Sequence, residues 1–283
     1  MGFGELYREI HESLGHTVTT VDTVKPATYA DLADAVQDKY YDMAHVCVPN
    51  YLHYDIANTV AKNSKIVIVE KPGVKDAESW KKLLRLNPKT RFMMSKNNQW
   101  RDNIQEMRLV AAESVHIYID WINRDRVPNP GSWFTDKSKA YGGVSRDLMP
   151  HLLSIYIKLN DNWLKSSVGF TSANQRWRLS DIKTSEYGTV DLNGVYDVDD
   201  HACMIFDNKW YLAANWRDGQ VDNRGVHCYK SGSSKRFELG LCPQDAYARM
   251  IAAAFANIDN EDFWTEQASQ DIWIHNMVQR LCQ

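Results

Sequence analysis

The stretch Ile66-Val67-Ile68-Val69-Glu70-Lys71-Pro72 decides how this chain is read. Four consecutive β-branched apolar residues predict a strand buried on both faces, which is how strands of a parallel sheet read. A Glu-Lys pair rides to its carboxyl end, and Pro72 stops it. Open α/β sheets bind ligands just beyond the carboxyl ends of their strands. Lys71 therefore stands where an ammonium can reach a substrate hydroxyl and a cofactor together. A solvated charge pair at a strand end is the plain alternative, because three-residue motifs recur by chance.

Helices and strands alternate on both sides of this stretch. Upstream, Gly2-Phe3-Gly4 opens into a helix over Glu5–Leu14, with Leu6, Ile10 and Leu14 at helical spacing and Gly15 as its C-cap. A short strand over Thr17–Val21 and then Asp22 follow. A glycine turn, a helix, a strand and an acid about twenty residues on is the order of a dinucleotide-binding unit. Such an acid accepts from the adenosine ribose hydroxyls and favours NAD, while the nearby Lys25 keeps NADP as the alternative. Three departures stand beside this. Tyr7 occupies the third glycine position and is expected to loosen helix–strand packing. Glu5 brings negative charge to the helix N-terminus that would hold the pyrophosphate. No strand precedes Gly2, so either that part is missing from this chain or the fold dispenses with its first strand.

Tyr29–Tyr40 predicts a helix and Met43–Val48 a buried strand, which delivers Pro49 and Asn50 to the sheet's carboxyl edge. His53 is either an ordinary residue at the start of the helix continuing through Ile56–Ala61 or a group on the nicotinamide side. Downstream come a helix over Ala77–Leu86, a strand over Arg91–Ser95 and a polar segment, Lys96-Asn97-Asn98-Gln99-Trp100-Arg101. The rhythm predicts a parallel sheet through about Ser95.

Past residue 113 the pattern changes. Val115–Trp121 alternates as a half-exposed strand, and Arg124–Lys139 is a loop containing Trp133-Phe134. In Gly142-Gly143-Val144-Ser145-Arg146-Asp147-Leu148-Met149-Pro150-His151, the glycines allow a turn to approach a ligand closely. Leu148, Leu152, Ile155 and Leu159 mark a helix, on which Asp147 and His151 share one face. A helix-start Asp beside a packed His is the equally open reading of that pair. Strands over Lys165–Ser172, Val195–Phe206, Trp210–Trp216 and Val226–Tyr229 predict an antiparallel sheet. Helices over Asp245–Asn257 and Glu261–Cys282 close the chain. The domains expected are residues 1–112, dinucleotide-binding, and 113–283, substrate-binding and oligomerising, with the last helix packing back on the first.

Composition narrows the function classes. With 283 residues, 44% hydrophobic and 24% charged, the chain can bury a substantial core. A net charge of −3 gives no electrostatic case for nucleic acid or an anionic membrane. Cys47, Cys203, Cys228, Cys242 and Cys282 form no Cys-x-x-Cys pair and are odd in number, so reduced cytoplasmic thiols are expected rather than disulfides or a metal site. No apolar run approaches the ~20 residues of a membrane span, and neither a nucleophile elbow nor metal-ligand spacing appears.

Taken in order, the glycine turn, Asp22, Val48-Pro49-Asn50 with His53, Glu70-Lys71-Pro72, Asn97, and Gly142-Gly143 followed by Asp147 and His151 resemble the Gfo/Idh/MocA family of NAD(P)-dependent oxidoreductases. That family includes glucose–fructose oxidoreductase and inositol dehydrogenase. The resemblance implies an α/β fold, a Rossmann-type parallel sheet followed by an α/β domain with an open, mainly antiparallel sheet that joins subunits into a homodimer or homotetramer. It implies NAD as cofactor, held by Gly2, Gly4, Asp22, Pro49, Asn50, His53, Glu70, Lys71 and Asn97. It implies a sugar, polyol or nucleotide-linked sugar as substrate, contacted by Lys71, Asn97, Trp133, Asp147 and His151. Lys71 would stabilise the developing alkoxide, His151 would be the general acid/base, and Asp147 would orient substrate or imidazole. Tyr141 and Arg126 are further candidates for the pocket wall. A binding or scaffold protein that keeps the fold without the dinucleotide, and a biliverdin-reductase-like enzyme, are the competing readings.

Overall fold

The apolar run around Ile66 is the central strand of a parallel sheet in a computed structural model that describes residues 3–240 and 242–282. The parallel-sheet part contains helix α1 (Phe3–Ser13), α2 (Leu32–Asp38), β1 (Tyr41–Val46), α3 (His53–Val60), β2 (Ser64–Val69), α4 (Ala77–Leu86) and β3 (Arg91–Met94). The strands lie in the order β1-β2-β3, all parallel. Ile66 to Val69 are at most 1% exposed. Trp80 and Leu83 of α4 are wholly buried, and burying each fully contributes about 1.5–3 kcal/mol. Asp31 caps α2 and Asp76 caps α4, each carboxylate accepting from an amide of the first turn.

The strand expected over Thr17–Val21 does not form. That segment makes one isolated parallel bridge, Val21 to Tyr29, and β1 lies at an edge of the sheet with β2 as its only paired strand among the described residues. Extended backbone becomes a strand only when a neighbour takes its hydrogen bonds.

The second part opens with α5 (Ile104–Ala112) and β4 (His116–Ile122). It continues through short helices α6 (Lys137–Ala140) and α7 (Val144–Asp147) into α8 (Met149–Leu159). Strands β5 (Val168–Asn174), β6 (His201–Phe206), β7 (Trp210–Asn215), β8 (Asn223–Lys230) and β9 (Ser233–Glu238) follow, then α9 (Gln244–Ala256) and α10 (Glu261–Leu281). The six strands run β5-β6-β7-β4-β8-β9, antiparallel except for the β4–β7 pair. The α/β class with a parallel sheet and a mainly antiparallel one is as expected from the sequence.

The expected strand over Val195–Phe206 starts only at His201, because Asp197, Asp199 and Asp200 turn their groups to capping neighbouring backbone. Helix α10 returns to the parallel sheet. Asp271, wholly buried, accepts from the Met94 amide and pairs with the equally buried Lys96. Burial pushes the Asp271 carboxyl up to about 6 even with the ammonium beside it. No helix among the described residues is long and apolar enough to cross a membrane.

Candidate active site

Lys71 sits one residue past Glu70, whose amide bonds to Val46 O and extends the β1–β2 ladder. The turn that follows is gripped from two sides. His53 spans Gly73 O (Nδ1, 2.6 Å) and Val48 O (Nε2, 2.8 Å). From α10, His275 Nε2 accepts from the Val74 amide (3.1 Å), which leaves the imidazole proton on Nδ1, donated to Asp271 O (2.6 Å). Gly73 has φ +80°, and a Cβ there would stand 2.7 Å from the His275 ring. Both constraints require glycine.

So held, the Lys71 ammonium meets the Asp147 carboxylate, 76 positions away in sequence. The second Asp147 oxygen accepts from Trp216 Nε1 at 2.7 Å. Burial disfavours both charges, but each partner overcomes it for the other: Lys71 titrates above its usual value and Asp147 below. Around the pair lies a cavity of about 10 Å³, one water's room, open to solvent and walled by Asn50, Phe134, Gly142 and Arg146 among others.

His151 lies one helical turn beyond Asp147, stacked on Trp121 at 5.6 Å. Its environment fixes the proton. Arg101 Nε, always a donor, bonds Asn98 Oδ1 at 2.8 Å. The Asn98 amide nitrogen therefore faces His151 Nδ1, at 3.1 Å, and donates to it. Neutral His151 must carry its proton on Nε2. Burial, reinforced by the Lys71 charge, lowers its pKa to about 3, so the ring is a neutral Nε2–H donor across ordinary pH. The general acid/base role expected of His151 would start from this Nε2–H form.

Other expected site residues have different partners. Glu70, buried beneath α1, accepts from the Tyr7 hydroxyl (2.7 Å), which in turn accepts from Ser95 Oγ (2.8 Å). Tyr7 also stacks on His45 at 4.0 Å. Far from loosening the helix, Tyr7 pins it to the strand ends. His53 has both ring nitrogens engaged by backbone and serves the Lys71 turn. Asn97 is buried with its side chain toward Cys242, and Asn98 takes the place expected of it at the site. Trp133 stacks on Phe134, and Phe134 lines the cavity instead. Arg126 lies over the Tyr187 ring at 5.3 Å, and Tyr141 ends α6 with φ +69°. The glycine pair lines the cavity and also packs tightly on protein: a Cβ on Gly143 would fall 1.8 Å from Asp199 O. Asn50 donates to Ala140 O at 3.0 Å and ties the end of β1 to the same wall. Gly2 lies outside the described residues.

Sequence reasoning missed Asn98, Arg101, Trp216, Arg146 and His275. The polar run Lys96–Arg101 carried Asn98 and Arg101, and Arg146 directly precedes Asp147, but nothing local marked them; Trp216 and His275 reach the site by folding alone.

A dinucleotide needs an acceptor for its ribose hydroxyls and donors for its pyrophosphate. Asp22, half-buried after Val21, accepts from Val24 N and Lys25 N through one carboxylate oxygen, which leaves the other for ribose hydroxyls. Among the described residues, a Cβ on Gly4 would meet Cys47 Cβ alone, at 4.0 Å. A helix leaves its first amides without intrahelical partners, and Arg8 pairs with the Glu5 carboxylate. With Lys71 at the strand end, the donor set fits.

Comparison with known proteins agrees with the fold and bears out the resemblance read from the sequence. Residues 9–97 match the Gfo/Idh/MocA oxidoreductase family, NAD-binding Rossmann fold. A curated protein of Amycolatopsis mediterranei (strain S699), described as a UDP-kanosamine synthase oxidoreductase subunit, is 30% identical over 123 residues, 42% of this chain and 34% of that protein. The chain thus matches about a third of that relative's length. A levoglucosan dehydrogenase solved with NADH and levoglucosan superposes with TM-score 0.63 at 16% identity, covering 99% of this chain and 86% of the other. A Sinorhizobium meliloti 1021 protein assigned as a myo-inositol dehydrogenase gives TM-score 0.72 at 15% identity, covering 99% and 94%. GenD2 from gentamicin A biosynthesis, solved with NAD, gives 0.64 at 16%, covering 98% and 84%. At these identities the structures show the fold alone.

Proposed function

We propose, from a Gfo/Idh/MocA-type Rossmann unit at residues 9–97, that this protein is a nicotinamide-dependent oxidoreductase acting on a CH–OH group of a sugar, polyol or nucleotide-linked sugar. One observation carries the reading: Lys71, at the carboxyl end of a parallel strand, pairs with Asp147, one helical turn before His151. Bound nicotinamide supplies the hydride chemistry. Asp22 would take the ribose hydroxyls of NAD, Gly4 and the first amides of α1 the pyrophosphate, and Lys71 the nicotinamide ribose. Pro49 and Asn50 line the strand edge between them.

The chain's own groups handle the reacting oxygen. Two donors, the Lys71 ammonium and His151 Nε2–H, suit an oxygen that gains negative charge in either direction of reaction. Both groups carry a proton at neutral pH, so either can deliver it to the oxygen during carbonyl reduction, and alcohol oxidation requires one of them to lose its proton first. Asp147 holds the ammonium in place and charged, and Trp216 holds Asp147. The outer face of the mixed sheet carries an aromatic ladder, Tyr118 on Tyr211 at 4.6 Å and Tyr229 edge-on at 5.5 Å, which supports a homodimer or homotetramer through that face. Five free thiols support a cytoplasmic setting.

Titration of NADH fluorescence, followed by absorbance assays over a panel of polyols, tests the proposal. Saturable binding and turnover abolished by Lys71→Ala are expected. A second reading, a binding module without dinucleotide, is favoured by the Phe3 ring lying 5.9 Å from Lys71 Nζ. Absence of saturable NADH binding would select it.

A further inference from the structure

Arg146 has no role in the chemistry above, yet its position is costly. It is 5% exposed, and its Nε and Nη1 are buried without a hydrogen-bond partner among the described residues. An isolated buried charge carries a desolvation penalty that folded proteins normally offset with a counter-charge or hydrogen bonds. Candidate partners are close but engaged. Asp76 feels the Arg146 charge, but its carboxylate caps α4 at Ser79 N, 2.8 Å. His275 also feels it, with both ring nitrogens committed to Val74 and Asp271. Asp147, the next residue, is divided between Lys71 and Trp216. The Arg146 stem is fixed under Gly142, where a Cβ would stand 2.9 Å from its Cγ. The side chain lines the cavity beside Lys71, which has room for one oxygen atom.

We propose that Arg146 anchors an oxyanion subsite, so that the substrate of this cleft carries a carboxylate or phosphate close to its reacting hydroxyl. The substrate class is then a sugar acid or sugar phosphate rather than a neutral polyol, an assignment that rests on the oxidoreductase reading for its reaction but not for its binding. A guanidinium presents a planar fork of N–H donors, one of which can give a charge-assisted bond to the single carboxylate or phosphate oxygen that the cavity has room for. Neutral hydroxyls cannot supply the missing charge. With Asp147 paired to Lys71, Arg146 is a positive charge of the wall that forms no ion pair among the described residues.

Calorimetric titration of the full chain with D-gluconate, glucose 6-phosphate, inorganic phosphate and myo-inositol tests this. At least one anion should bind saturably, and myo-inositol should bind at least tenfold more weakly. Gluconate binding without phosphate binding identifies a carboxylate site, and the reverse a phosphate site. Arg146→Met should weaken the anion at least tenfold while the melting temperature stays level or rises, since a buried unpaired charge is removed. Should that variant fail to fold, Arg146→Lys, which keeps the charge and loses the fork, should show the same direction of change. Absence of anion binding overturns the proposal, as does equal affinity in wild type and variant or myo-inositol binding as tightly as the anions. NADH titration of the same samples separates the two claims: anion binding without NADH binding keeps the subsite and removes the oxidoreductase reading.

Discussion

Replacing Asn98 by Asp should move the His151 proton from Nε2 to Nδ1. In the native arrangement Arg101 fixes the Asn98 carbonyl, so the amide N–H points at Nδ1. Placing the imidazole proton on Nδ1 would set two donors face to face and lose a buried hydrogen bond. That costs about 1–3 kcal/mol, roughly a five- to 150-fold preference for the Nε2–H tautomer. A carboxylate at position 98 reverses the sign. It still accepts from Arg101, and its second oxygen accepts Nδ1–H in a charge-assisted bond worth about 1.5–3 kcal/mol. The carboxylate also favours the imidazolium, so the His151 pKa should rise from about 3. Nitrogen-15 spectra of histidine-labelled protein read this directly, with His151→Asn supplying the assignment. Native protein should show a protonated Nε2 and an unprotonated Nδ1, and Asn98→Asp the opposite or a doubly protonated ring. A protonated Nδ1 in native protein, or spectra unchanged by the substitution, would refute the reasoning.

Lys96→Met should strip Asp271 of its counter-charge deep under α10 and cost about 3–5 kcal/mol of stability, read as a lower urea midpoint; a change below about 1 kcal/mol would mean the pair is not the clamp described. Tyr7→Phe leaves Glu70 and Ser95 without the shared hydroxyl and should cost about 1–3 kcal/mol, measured the same way. His11, His151 and His275 titrate at about 4, 3 and 4 in the folded protein, pushed below the usual 6.5 chiefly by burial. The unfolded chain therefore binds more protons below pH 6.5, and stability should be lost as pH falls from 6.5 towards 4; a melting temperature flat over that span contradicts the assignment. Asp147→Asn should lower turnover and shift any kcat/KM ionisation assigned to Lys71 downward, because the ammonium loses its partner. An unmoved pH profile would place proton transfer elsewhere.

The sequence carried the parallel sheet because its signal is local. Buried strands such as Ile66–Val69 need both faces apolar, and the helices between them show their own period. The segment over Thr17–Val21 looked the same locally, but strand formation depends on a neighbour that sequence alone does not display. Strand β9, Ser233–Glu238, is polar along nearly its whole length and exists because β8 offers it a ladder. At the site, Lys71, Asp147 and His151 were legible through their motifs and the order in which these occur. Their partners were not. Nothing in the chain places Trp216 beside Asp147 or His275 behind Gly73, and the choice between Asn97 and Asn98 is one of side-chain direction in a short turn. Tyr7 shows the opposite failure: a departure from the glycine pattern read as a defect becomes, in three dimensions, the hydroxyl that satisfies a buried Glu70.

The central claim is that Lys71 and His151 address one substrate oxygen. A crystal structure with NAD and a bound hydroxy acid tests it most directly. The account predicts a single hydroxyl oxygen within hydrogen-bond reach of both Lys71 Nζ and His151 Nε2, with the nicotinamide against the same carbon. A substrate oxygen bound by only one of the two, or a ligand seated away from the Lys71–Asp147 pair, would contradict it.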